Sequence, residues 1–274
     1  MAKAQNNDGG WGAGSHYNQK VMDPHAVKSD PASTAMVAMA LLRCQHTPNS
    51  GTYSAQLNKA LNFLIAAVEN SPDNDLNITT LTGTQPQIKL GANIDVVLTS
   101  QFLTNVLDYL NDDALRANKV KGCISKCVAK IQRAQSSNGS MQGSGWAGVL
   151  QSSFANNALE SASKKGVKVE EESLERSRQF QKDNFDVKTK SVNTDLGAGV
   201  VLYSVSGSAR ASAAEAREAR EVVEQAKREG KLSKNDVITA DNLKKAGVAP
   251  SKAMKLACLL YTSGCIHVLK AGIV

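Results

Sequence analysis

Side chains able to do chemistry are few in this 274-residue chain, and most stand far apart. Metal binding would draw on five cysteines and four histidines, yet no CxxC occurs, and His16, His25, His46 and His267 share no zinc-type spacing with the thiols. Cys123 and Cys127 lie one helical turn apart, as two small apolar residues on a buried helix face would. The carboxylate pair Asp112-Asp113 follows Asn111 where one expected helix hands over to the next, a turn rather than a metal run. There is no Walker loop, no GxSxG elbow and no HExxH. No metal and no cofactor is therefore expected. The formal net charge is +7, but most of the surplus falls in residues 231–274 as single lysines and the pair Lys244-Lys245, without interleaved aromatics. Nucleic acid is not an expected partner.

The elements that must position these residues read as helices. Hydrophobic residues make up 42% of the chain and aromatics only 4%, so the apolar content is aliphatic and suits helix packed on helix. Asp30-Pro31 opens a helix to Arg43, with a capping carboxylate and Pro at the first helical position. Leu57, Leu61, Leu64 and Val68 form the stripe of a second helix, stopped at Ser71-Pro72. A polar loop follows to about Gly91, and further helices are expected at 94–110, 115–135, 146–164 and 169–184. Residues 208–229 form a charged, Ala-rich helix supported by pairs such as Arg217 with Glu221. A short helix at 231–248 and one opened by Pro250, holding Met254, Leu256, Leu259 and Leu260, complete the chain. Gly199 to Val205 is short and rich in valine, and could be extended. The fold class is all-α, and no apolar run reaches the roughly 18 residues of a membrane span. Met1 to Gly14 is polar and Gly-rich, without a signal-peptide apolar region, and localisation is left open.

Two heptads match each other. Gln5-Asn6-Asn7-Asp8-Gly9-Gly10-Trp11 and Gln135-Ser136-Ser137-Asn138-Gly139-Ser140-Met141 share Gln, two spacers, Asp or Asn, then Gly. Gln can bond backbone groups at a neighbouring helix end, Asp/Asn-Gly makes a tight turn, and Trp covers the junction. Each heptad precedes a helix of small residues, Ser33-Thr34-Ala35 in one case and Ser152-Ser153-Phe154-Ala155 in the other.

On these residues, with Gly83–Gly91 and Gly145-Trp146-Ala147, the chain resembles the prenyltransferase and squalene oxidase repeat family, whose helix pairs build the α/α toroid of terpenoid cyclases and protein prenyltransferases. Met141 departs from the pattern where Trp stands in the first copy. The resemblance implies about three helix pairs in residues 1–185, a linker at 186–207 and additional helices at 208–274. The toroid is then incomplete, since a closed ring has roughly six pairs. Lys3-Ala4-Gln5 reads as the last turn of a helix that would begin before Met1, and Cys258 to Val274 as a tail that need not be native.

The family's catalytic motifs are missing. There is no DxDD, Asp112-Asp113-Ala114-Leu115-Arg116 ends in the wrong charge for DDxxD, no zinc triad can be matched, and the thioester sequence GCGEQ is absent. The expected function is therefore a non-catalytic binding or scaffold module with a concave surface for an isoprenoid-like apolar ligand or a protein partner. That surface would be lined by Tyr17, Gln85, Gln87, Trp146, Ser152 and Asn156. The alternative, a terpenoid cyclase or prenyltransferase, requires an aromatic-lined cavity and a poised acid, for which Asp30 and Asp95 are the candidates.

Overall fold

The computed structural model describes residues 2–143, 145–186 and 188–257, and these are mostly helical. They group into two compact units, one reaching to Gly207 and one beginning at Ser208.

In the first unit, α1 (Pro31–Arg43) starts as its sequence dictates, with the Asp30 carboxylate accepting from Ser33 N at 2.7 Å and Pro31 at the first position. Its Ala35, Ala38, Leu41 and Leu42 are buried. Helix α2 (Ser54–Asn70) buries Leu57, Leu61, Leu64 and Val68. Helix α4 (Ile94–Val106) is buried at nearly every position and ends in a 3-10 turn, Leu107–Tyr109. It packs between α1 and α6 (Gly148–Lys164), while α2 backs α1, α5 (Ala114–Arg133) backs α4, and α7 (Glu171–Asp183) backs α6. The result is three consecutive helix pairs, with α1, α4 and α6 as an inner row around one apolar core.

Several elements differ from expectation for local reasons. The polar stretch after α2 contains a short helix, α3 (Gln85–Leu90), started by a capping box in which Thr84 and Gln87 bond each other's backbone N–H. Lys130 on α5 is buried, its ammonium held by the carbonyls of Pro72 and Asp75. The expected linker belongs to the first unit: it holds an antiparallel hairpin of β1 (Phe185–Asp186) and β2 (Ser191–Val192) and then a 3-10 turn, Asp195–Gly197. Gly199 to Val205 is not extended, because left-handed Ala198 and Gly199 turn the chain into α8 (Val201–Arg228).

The second unit has its own small core of Ala219, Val223, Ala226, Leu232, Leu243, Ala253, Leu256 and Ala257. Its helices are the later part of α8, α9 (Ala240–Lys245), much shorter than expected, and the helical residues 250–257. Met254 is exposed. Leu259, Leu260 and the tail from Cys258 lie outside the described residues. Among those described, no helix is long and apolar enough to cross a membrane.

Candidate functional site

The two heptads make the same contacts at corresponding places. Gln5 Nε2 donates to the carbonyls of Gly9 (2.8 Å) and Gln56 (2.9 Å), and Gln135 Nε2 to those of Gly139 (3.5 Å) and Ser173 (2.9 Å). Gln56 and Ser173 are both the third residue of the helix they belong to, α2 and α7. Gly9 and Gly139 sit at φ +91° and +88°, where an added Cβ would come within 2.6 Å of the Lys59 carbonyl oxygen and 2.1 Å of that of Arg176. Lys59 and Arg176 are in turn both the sixth residue of those helices. Asp8 Oδ1 accepts from Gly10 N at 2.9 Å, as Asn138 Oδ1 does from Ser140 N at 3.0 Å. Trp11 N donates to Thr34 Oγ1 on α1 at 2.9 Å, and Met141 N to Ser152 Oγ on α6 at 3.0 Å. Each junction thus ties the start of an inner helix to the start of its outer partner, and Met141 fills Trp11's buried place.

A polar belt joins the starts of the inner helices. Asp95, on α4, accepts from Ala32 N of α1 through Oδ1, and from Gln87 Nε2 (2.8 Å) and Asn77 Nδ2 (3.2 Å) through Oδ2. Gln151, on α6, accepts from Asn93 N before α4 and donates to the Gln142 carbonyl. Asp30 accepts from Ser33 N and Ala13 N with its two oxygens. Burial holds both carboxyls above the usual range, and the Asp30 charge pushes Asp95 further in that direction. These carboxyls are helix caps with their oxygens occupied.

The two buried thiols, Cys123 and Cys127, are equally unsuited to chemistry. Burial pushes Cys123 up to about 11 and Cys127 higher still. Among the described residues, no group of three or more His, Cys, Asp or Glu could hold a metal ion.

Two exposed aromatic side chains, Tyr17 and Trp146, flank α3 instead. Gln85 Oε1 lies 3.1 Å from His16 Nδ1, and the His16 ring meets Tyr17 edge-on with centroids 5.5 Å apart. One turn further on, Lys89 Nζ sits 5.2 Å from the centre of the Trp146 ring, a cation–π contact. Backbone bonds fix both flanks: Gln85 N to the Gly14 carbonyl, His16 N to that of Gly83, Trp146 N to that of Ile88 and Ala147 N to that of Lys89. Tyr17 is 81% and Trp146 62% exposed. Val21 and Met22, in the same loop as Tyr17, are also exposed.

Of the residues expected to line a binding surface, the structure brings Tyr17, Gln85 and Trp146 to this strip. Gln87, Ser152 and Asn156 are buried and line no open surface. Gln87 closes the α3 cap and holds Asp95, and Ser152 holds the second heptad. Asn156 Nδ2 lies 3.4 Å from Glu160 Oε1, beside the buried Glu160–Arg178 ion pair (2.9 Å). Lys89 and His16 escaped sequence reasoning, because only α3 brings them beside Trp146 and Tyr17. A usable signal was the unequal spacing after the two heptads: loop 12–29 is three times the length of its counterpart, 142–147. No family model, no curated protein and no solved structure matches the chain.

Proposed function

We propose that this protein is a non-catalytic binding module built on repeats of the prenyltransferase and squalene oxidase type, its three helix pairs forming part of an α/α toroid. It engages an apolar ligand or a protein partner through the strip along α3, with Trp146 and Tyr17 as anchors. One observation carries this reading: the aromatic rings and the carboxylates occupy the reverse of the places a carbocation-handling enzyme needs. Such an enzyme turns π faces inward and keeps one acid unencumbered. Here Trp146 and Tyr17 face outward, the buried Trp11 and Phe102 belong to the packed core, and Asp30 and Asp95 are consumed by helix starts.

The test is incubation of the purified protein with squalene and with farnesyl and geranylgeranyl diphosphates, followed by mass-spectrometric analysis of products and of lipid retained on the protein. No product is expected, and turnover of any of the three overturns the reading. Retained lipid that is lost in the Trp146→Ala/Tyr17→Ala double variant identifies an apolar ligand. Where none is retained, cross-linking capture with the same variant as control is expected to yield a protein that the variant fails to capture.

A further inference from the structure

Beside the first heptad lies an open groove of about 730 Å³, within the size range of small-ligand sites. One wall is Asn7 and Asp8 of the heptad; another is His25, Val27 and Lys28 of the long loop; Leu81 adds an apolar patch. Loop 12–29 supplies part of this wall, and the short loop 142–147 leaves the second heptad without the same arrangement.

The internal repeat separates what the turn needs from what the groove adds. Asn138 makes the turn of the second heptad with a neutral carboxamide, so the negative charge of Asp8 is surplus to the turn. Asp8 Oδ1 is used, accepting from Gly10 N and from Ser29 Oγ at 2.8 Å. Its Oδ2 has no hydrogen-bond partner among the described residues, and neither has the Lys28 ammonium or the Asn7 carboxamide. His25 is held as wall, with Nδ1 3.3 Å from Asn6 Oδ1 and Nε2 3.0 Å from the Lys3 carbonyl oxygen.

We infer that this groove binds a neutral polyhydroxylated ligand, a segment of an oligosaccharide. Sugar hydroxyls donate to the open Asp8 oxygen and accept from Lys28 and Asn7, while a sugar C–H face covers Leu81 and Val27. The formal charges of Asp8 and Lys28 cancel, so a net-charged ligand that satisfied one would set its charge against the other. A hydroxylated ligand satisfies both. This site is separate from the α3 strip, and its test does not involve that strip.

The experiment is calorimetric titration of the full chain with maltohexaose, cellohexaose and chitohexaose, with triglycine as the zwitterionic comparison. At least one hexasaccharide is expected to bind with Kd of ~1 mM or tighter. Asp8→Asn should weaken it by about tenfold or more while leaving the unfolding midpoint in place, because Asn already serves this turn in the second copy. Asn138→Asp should leave binding unchanged. The inference is overturned if none of the three sugars binds, if Asp8→Asn binds as the parent does, or if triglycine alone binds in an Asp8-dependent way.

Discussion

The Gln5 and Gln135 heptads perform one mechanical task in two places, and their differences separate frame from function. Gln, the left-handed Gly and the Asx side chain make matching bonds in both copies, down to the third and sixth residues of the helix each one meets. Trp11 and Met141 fill the corresponding buried positions with different chemistry. What diverges is the chain between heptad and inner helix. A brief loop leads to α6, whereas the loop leading to α1 carries His16, Tyr17, Val21, Met22 and His25 to the surface. Strict equivalence marks what the fold requires, and surplus length and charge mark what it presents.

Breaking the glycines should cost most. Gly139→Ala forces a Cβ onto the Arg176 carbonyl at a left-handed φ, and denaturant unfolding should show a loss of roughly 2–4 kcal/mol. Gly9→Ala should follow closely, slightly milder because its nearest contact is longer. Gln135→Ala and Gln5→Ala come next at about 1–3 kcal/mol each, since a buried carbonyl loses its extra donor. Gln135 should cost more, because its Oε1 also accepts from Ser173 Oγ and Arg176.

A pH effect should mark the first copy alone. Its inner helix starts on two carboxyls, Asp30 and Asp95, whereas α6 has no side-chain cap. Burial raises both carboxyls above the ordinary 3.8, so the folded chain holds these protons more tightly than the unfolded chain. Their contribution to stability is complete below pH 3.8 and is lost as pH rises through the folded values. Unfolding midpoints from pH 3 to 7 should therefore fall less steeply in Asp30→Asn than in the parent. Smallest of all is the exchange of charge between copies: Asp8→Asn with Asn138→Asp should move stability by no more than ~0.5 kcal/mol.

Much of this frame could be read from residues alone. Asp30-Pro31, the Leu57–Val68 stripe and the paired Gln…Gly heptads each impose a local geometry that tertiary packing then uses. Helix α3 was missed because six residues are too few to show a period, although the Thr84…Gln87 capping box and Pro86 announced it. Gly199 to Val205 misled because β-branched content says little beside a backbone reversal at Ala198 and Gly199. On α6, nothing in a run of Ser, Ala and Asn reveals which side is buried, and Ser152 and Asn156 face the interior rather than the expected surface. Trp146 and Tyr17 could be named in advance, but Lys89 and His16 could not, because their pairing depends on loops far apart in the chain folding onto α3.

Amide hydrogen exchange on the free protein tests the equivalence of the two copies most directly. The amides of Gly9 and Trp11 and those of Gly139 and Met141 all donate within the frame, so similar, strong protection is expected in both heptads. Residues 19–22, whose amides make no such bonds in the frame, should exchange fast. Protection of one heptad with free-loop exchange in the other would contradict the claim that they are copies of one structural device.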